Sequence, residues 1–271
     1  MPEQAKSQSQ SKALAKTLAR LYVDAPLIAN ESLALGGKQA HYLRGVLRLS
    51  VGASVLVFNG RQGEWLAHIA ALGKKSARLM PQQQLRQQEA ASSLWLLAAP
   101  IKRDRLDYLA QKATEMGVGR LWPIITQHTQ QGAKNPKRAN DLSHRLKANA
   151  IEAAEQCGIL AVPEIAAPIA LAALLADWPQ AGGGRQLIFC DESASPAQGI
   201  HALKKLNKNQ QFAVLIGPEG GFTADEIAAL HARPDCHSIS LGPRILRADT
   251  AMVAALAIVQ SKLGDWYAGV E

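Results

Sequence analysis

The chain is 271 residues long, enough for two modest domains, is 48% apolar and carries a formal net charge of +8. No apolar run reaches the ~18–20 residues of a membrane span. Cys157, Cys190 and Cys236 are odd in number and widely spaced, which excludes a disulfide framework and suits a reducing, cytoplasmic compartment; the seven histidines form no chelating pair, so no metal is expected.

Residues 1–19, MPEQAKSQSQSKALAKTLA, lack the apolar segment of a secretory signal and are expected to form a flexible extension. Short β-like runs follow: RLYV (20–23), SVLVFN (54–59), EWLAHI (64–69) and ARLM (77–80). Asn59-Gly60-Arg61-Gln62-Gly63 predicts a hairpin turn. The spacing of Leu43, Val46 and Leu47 predicts a short helix near 40–48. Short strands and tight turns predict a small β-barrel over 20–88. Residues 1–91 hold 12 Lys/Arg against 5 Asp/Glu, whereas residues 92–271 hold 18 against 17. Charge concentrated in this way points to a polyanionic partner such as a nucleic acid, with Arg44, Arg48 and Arg61 as candidate contacts, the alternative being a solubilising surface. The Gln-rich run 81–93 reads as a polar linker.

Beyond it, residues 92–271 read as an α/β domain. Strands are predicted at 93–99, 120–125, 186–190, 212–217 and 237–242. Helices are predicted at 104–116, with Gly117 as its cap, at 141–157 ending at Gly158, from Thr223, and over 250–263 stopped by Gly264. Thr223 and Glu226 form a capping box, and Asp249 or Thr250 is expected to cap the last helix. Alternating strands and helices with apolar strands argue for a parallel sheet.

Two loops at expected strand ends, in LIGPEGGFTADEI (215–227) and LGPRILRADTA (241–251), carry the chemistry. Ligands of open α/β sheets sit beyond the carboxyl ends of strands. Gly217, Gly220 and Gly221 let backbone approach a ligand, and Pro218 stiffens the turn. No GxxxxGK[ST] and no early GxGxxG is present, which argues against a kinase-like phosphate loop or a dinucleotide site. The loops are apolar at Leu215, Ile216, Leu241, Ile245 and Leu246. Such walls suit an adenine ring and a sulfonium ligand better than a triphosphate.

Together with KRDRLDYLAQKATEMGV (102–118), NAIEAAEQCG (149–158) and HYLRGVLRLSVGASVLVFNGRQGEWLA (41–67), the two loops resemble the ribosomal RNA uridine-N3 methyltransferase family, often called RsmE, of the SPOUT class. The resemblance spans roughly residues 20–265. It implies a PUA-like barrel followed by a SPOUT-type parallel sheet with a C-terminal trefoil knot, working as a homodimer. The implied reaction moves a methyl group from S-adenosylmethionine to N3 of a uridine in small-subunit (16S) ribosomal RNA, free or in the assembled subunit. The cofactor would be held by Leu215, Ile216, Gly217, Gly220, Leu241, Gly242, Ile245 and Leu246. Uridine N3 is nucleophilic only once its proton has left, and a nearby guanidinium would favour the resulting anion. Arg247 is the candidate, the alternative being an ion pair with Glu219 or Asp249 that locks the loops. Glu219 is either a general base or a loop-holding carboxylate. Lys102 and Arg105 follow a strand end and are candidates for RNA phosphate. Tyr42, beside Arg44, is a candidate base platform, whereas Phe58 and Trp65 read as core. The chain departs from the family where Asp249 replaces a common Glu and where cations common near His128 and at Ile159 are missing. A rival expectation is a non-catalytic RNA-binding ribosome-assembly factor that keeps the fold; the intact loops argue against it.

Overall fold

The structure is a computed structural model that describes residues 18–129, 139–194 and 199–267. The expected extension therefore lies outside the described residues up to residue 17. The chain divides into two compact units: one from the described part of Met1–Ala90 with Ala154–Ala161, the other from that of Ala91–Ala153 and Val162–Glu271.

The first unit is a five-stranded sheet in the order β1-β3-β4-β5-β2, comprising β1 (Arg20–Tyr22), β2 (Leu33–Leu35), β3 (Ser54–Phe58), β4 (Glu64–Leu72) and β5 (Ala77–Arg86). Only the β1–β3 pair is parallel. The predicted hairpin turn joins β3 to β4. Asn59 Oδ1 accepts the backbone N–H groups of Arg61 and Gln62, which is why an Asn opens the turn. Gly63 closes it at φ 72°, and a Cβ there would lie 2.1 Å from the Arg86 carbonyl oxygen, so only glycine fits.

The Gln-rich run is not a linker throughout, since β5 continues to Arg86. Gln83 and Gln84 pair with Leu66 and Trp65, and Pro81 sits beside a register shift, where a missing N–H is tolerated. The helix expected near 40–48 is α1 (Gly37–His41) running into a π-turn, Tyr42–Val46. Glu64 is completely buried. Its Oε1 accepts from Arg20 Nε at 2.7 Å, and Arg86 Nη1 stands 3.8 Å from Oε2 while donating to the Gly158 carbonyl.

The second unit has a parallel sheet in the order β12-β10-β11-β6-β7-β8, with β6 (Trp95–Ala98), β7 (Arg120–Ile125), β8 (Glu164–Ile165), β10 (Gln186–Cys190), β11 (Phe212–Ile216) and β12 (Cys236–Ile239); β9 (Ile169–Ala170) pairs with β7. Both faces are covered, so its strands read as continuous apolar runs. Leu96, Ile188 and Val214 face one way, toward α2 (Arg103–Glu115) and the later helix at 248–263. Leu97, Phe189 and Leu215 face the other, toward α4 (Leu171–Ala176), α5 (Trp178–Ala181) and α6 (Ala224–His231). The long helix α3 (Ala139–Cys157) lies between β7 and β8 in the chain, and its last turn from Ala154 belongs to the first unit. Gly117 and Gly158 follow α2 and α3 with φ of 77° and 68°, the left-handed turn that ends helices.

The last helix, α7 (Ala248–Leu263), begins earlier than expected. Buried Ala248 draws the first turn inward, so Arg247 occupies the cap position, and neither Asp249 nor Thr250 caps it. Asp249 falls in the first turn, where its charge still complements the helix dipole. At the far end, buried Gln260 donates to the Met116 carbonyl at 2.7 Å and accepts from the Asp265 N–H. Gly264, in extended backbone, leaves room for that side chain.

Candidate active site

Because β12, β10 and β11 are adjacent and parallel, their carboxyl ends lie along one edge of the sheet. A cavity of about 460 Å³ opens there, within the range of small-molecule pockets. Three segments wall it: 190–194 after β10, 216–222 after β11 and 239–248 leading into α7. The two loops singled out in the sequence thus share one cavity. The third wall was not anticipated, although QLIFC followed by Asp191-Glu192 is itself a strand end with acidic residues and carried that signal.

Of the expected cofactor residues, Ile216, Gly217, Leu241, Gly242, Ile245 and Leu246 line the cavity. Leu215 does not; its side chain belongs to the core on the α4–α6 face. Gly220 is turned toward β7's loop, where His128 Nδ1 donates to its carbonyl at 2.8 Å. The same loop is tied to α6, because the Gln127 N–H donates to Glu226 Oε1 while Glu226 Oε2 accepts the Thr223 N–H within the predicted capping box. Gly217 carries the Phe222 ring, whose Cε2 is 3.0 Å from the position of a Cβ. Cys190 lines the cavity, but burial pushes its thiol up to about 12, so it is a wall and not a nucleophile.

Glu219 lines the cavity and is exposed. Arg247 is exposed between the lining residues Leu246 and Ala248 but does not itself line the cavity, and it forms no ion pair with Glu219 or Asp249 among the described residues. The loop-locking alternative is therefore absent from the structure. Among the described residues no group of three or more His, Cys, Asp and Glu could hold a metal, and no helix is long and apolar enough to cross a membrane.

Residues 88–260 match the family model of an RNA methyltransferase domain, and residues 35–79 match an RNA methyltransferase PUA domain. A ribosomal RNA small subunit methyltransferase E of Rickettsia conorii is 33% identical over 242 residues, covering 89% of this chain and 94% of the relative. The chain belongs to this RsmE-type RNA methyltransferase family. Its fold matches that of a Legionella pneumophila methyltransferase solved with bound SAM, with a TM-score of 0.78, 28% identity and coverage of 90% and 97%. A ribosomal RNA small subunit methyltransferase E from Neisseria gonorrhoeae, solved with S-adenosyl methionine, matches in fold with a TM-score of 0.76 at 24% identity over 90% and 97% of the two chains.

In this RsmE-type chain the RNA-side candidates fall in two groups. Arg44 and Arg48 are exposed around the π-turn, and Arg48 is one of two described non-glycine residues at positive φ, 54°. That left-handed residue ends the π-turn, with the Leu49 N–H donating back to the Leu43 carbonyl at 2.9 Å. Arg61 makes only a long surface contact with Asp24, at 3.4 Å. Tyr42 is half-buried against the first unit's core, which does not suit a base platform. Lys102 is exposed at the cap of α2, and Arg105 is half-buried one turn on. At the departures from the family pattern, His128 serves as a backbone latch to Gly220, and Ile159 is half-buried in the first unit.

Proposed function

We propose that this protein transfers a methyl group from S-adenosylmethionine to N3 of a uridine in small-subunit ribosomal RNA, in the cytoplasm and as a homodimer. The reading is carried by the cavity at the carboxyl ends of β10, β11 and β12, whose walls include both glycine-proline loops. Its size, its apolar walls and the exposed carboxylates of Glu192 and Glu219 fit a cationic adenosyl ligand. The SAM-bound Legionella relative and the ribosomal RNA methyltransferase relative support the same reading.

When bound, S-adenosylmethionine supplies a methyl group on a positively charged sulfur. The chain's own residues do the rest. Leu241, Ile245 and Leu246 cover the ring, and Gly217 and Gly242 keep the backbone close. Arg247 offsets the negative charge that develops on uridine O2 and O4 as the N3 proton leaves. In this reading Glu219, which lines the cavity, receives that proton. Residues 20–88 are read as the RNA-binding domain and residues 92–271, apart from the segment 154–161 that groups with the first unit, as the methyltransferase domain. A trefoil knot in the latter is what membership of the RsmE-type family implies. The same membership implies the homodimer.

Incubating the purified protein with methyl-labelled S-adenosylmethionine and either naked small-subunit RNA or assembled subunits tests the reaction. Nucleoside mass mapping is expected to show N3-methyluridine at a single position. Label at another base, or none on either substrate, overturns the proposal. For the RNA surface, the double variant Arg44→Ala/Arg48→Ala is expected to weaken RNA binding and to lower the slope of log affinity against log salt by about 1–2. An unchanged slope removes these residues from the phosphate contacts.

A further inference from the structure

The cavity walls are acidic in a basic protein. Asp191, Glu192 and Glu219 line it against the single cation of Arg244, while the chain as a whole carries +8. A cleft lined by one sign of charge focuses its field on the ligand inside.

Asp191 is already engaged. Its carboxylate accepts the Ser193 N–H at 2.9 Å and the Ser193 hydroxyl at 2.6 Å on Oδ1, and His231 Nε2 stands 3.2 Å from Oδ2. These bonds pin the turn after β10 and so set the direction of the next side chain. Glu192 extends over the first glycine-proline loop, with Oε1 3.0 Å from the point a Cβ on Gly221 would occupy. Gly221, at φ 67°, is thus the residue that lets this carboxylate reach from one wall to the next. Glu192 is exposed and makes no hydrogen bond or ion pair among the described residues.

We propose that Glu192 recognises the positive charge of the cofactor, so that the site selects a charged adenosyl sulfonium over a neutral nucleoside with the same adenosyl frame. The inference rests on the reading that S-adenosylmethionine occupies this cavity. It assigns Glu192 a role in affinity and selectivity, distinct from the roles of Arg247 and Glu219 toward the uridine.

Calorimetric titration with S-adenosylmethionine and with neutral 5′-methylthioadenosine tests it, using the full chain. The wild type is expected to prefer the charged ligand. Glu192→Gln is expected to lower affinity for S-adenosylmethionine by roughly tenfold or more, the order expected when one of two opposite charges a few ångströms apart is removed, while 5′-methylthioadenosine affinity stays within about twofold. Glu192→Asp, which keeps the charge at shorter reach, is expected to recover part of the preference. Equal loss for both ligands would make Glu192 a structural residue, and no loss for S-adenosylmethionine would also overturn the inference. A wild-type protein that binds neither ligand would remove the cofactor reading itself. Because Glu192 is exposed, an unchanged thermal melt shows that the variants remain folded.

Discussion

Arg247→Ala is expected to lower the rate of methyl transfer by ~10²–10³-fold, the usual cost of removing one group that stabilises a developing oxyanion, while S-adenosylmethionine affinity stays within about threefold. The split follows from position. Arg247 caps α7 with extended backbone, its carbonyl accepts the Ala251 N–H, and its side chain is exposed and unpaired among the described residues. Truncating the side chain leaves that backbone bond intact, so the cavity should keep its shape. Single-turnover rates and equilibrium titration on the same preparation separate the two quantities. A parallel fall in both would assign Arg247 to the cofactor or to the loop. Arg247→Lys retains charge but not the planar fork, and it is expected to recover only part of the rate.

Glu64→Ala is expected to destabilise the first unit by about 1–3 kcal/mol, the cost of losing a charge-assisted hydrogen bond to an arginine that keeps partial access to water. Arg20 loses a 2.7 Å partner, and Arg86 loses the carboxylate 3.8 Å away, at a site where Glu64 has no exposed surface. Hydrogen exchange read by mass spectrometry should show lost protection in peptides covering 54–58 and 64–86, with 212–216 unchanged. Unchanged protection in the first set would show that Arg20 and Arg86 find other partners or water. Glu64→Gln keeps an acceptor for Arg20 and is expected to be milder.

What could be read from the chain depended on how local its cause was. The runs that became β3, β4, β6, β7, β10, β11 and β12 carry enough β-branched and apolar residues to declare themselves. The turn at Asn59–Gly63 and the cap at Thr223 and Glu226 are set by side chains bonding to backbone two or three residues away. In contrast, β2, β8 and β9 have only 3, 2 and 2 residues, too short for any period, and exist because distant strands offer them a ladder. The continuation of β5 through Gln82–Arg86 was hidden for a similar reason: its glutamines are polar, and it is the pairing with β4 that makes them a strand. At the site, both glycine-proline loops could be recognised from their composition. Their meeting with the segment after β10 could not, because that follows from strand order, and strand order is non-local. The start of α7 was misplaced because buried Ala248 outweighed two good capping residues beside it.

The pairing of β6 with β11 has a temporal consequence. Residues 95–98 sit mid-sheet, yet their partner on one side is 213–216. On a translating ribosome, at about 5–20 residues per second, Leu96 and Leu97 wait roughly 6–24 s for that neighbour to be synthesised. Through that interval an apolar edge stands open in the nascent chain, so the protein's early life depends on how well its cell shields unfinished polypeptides.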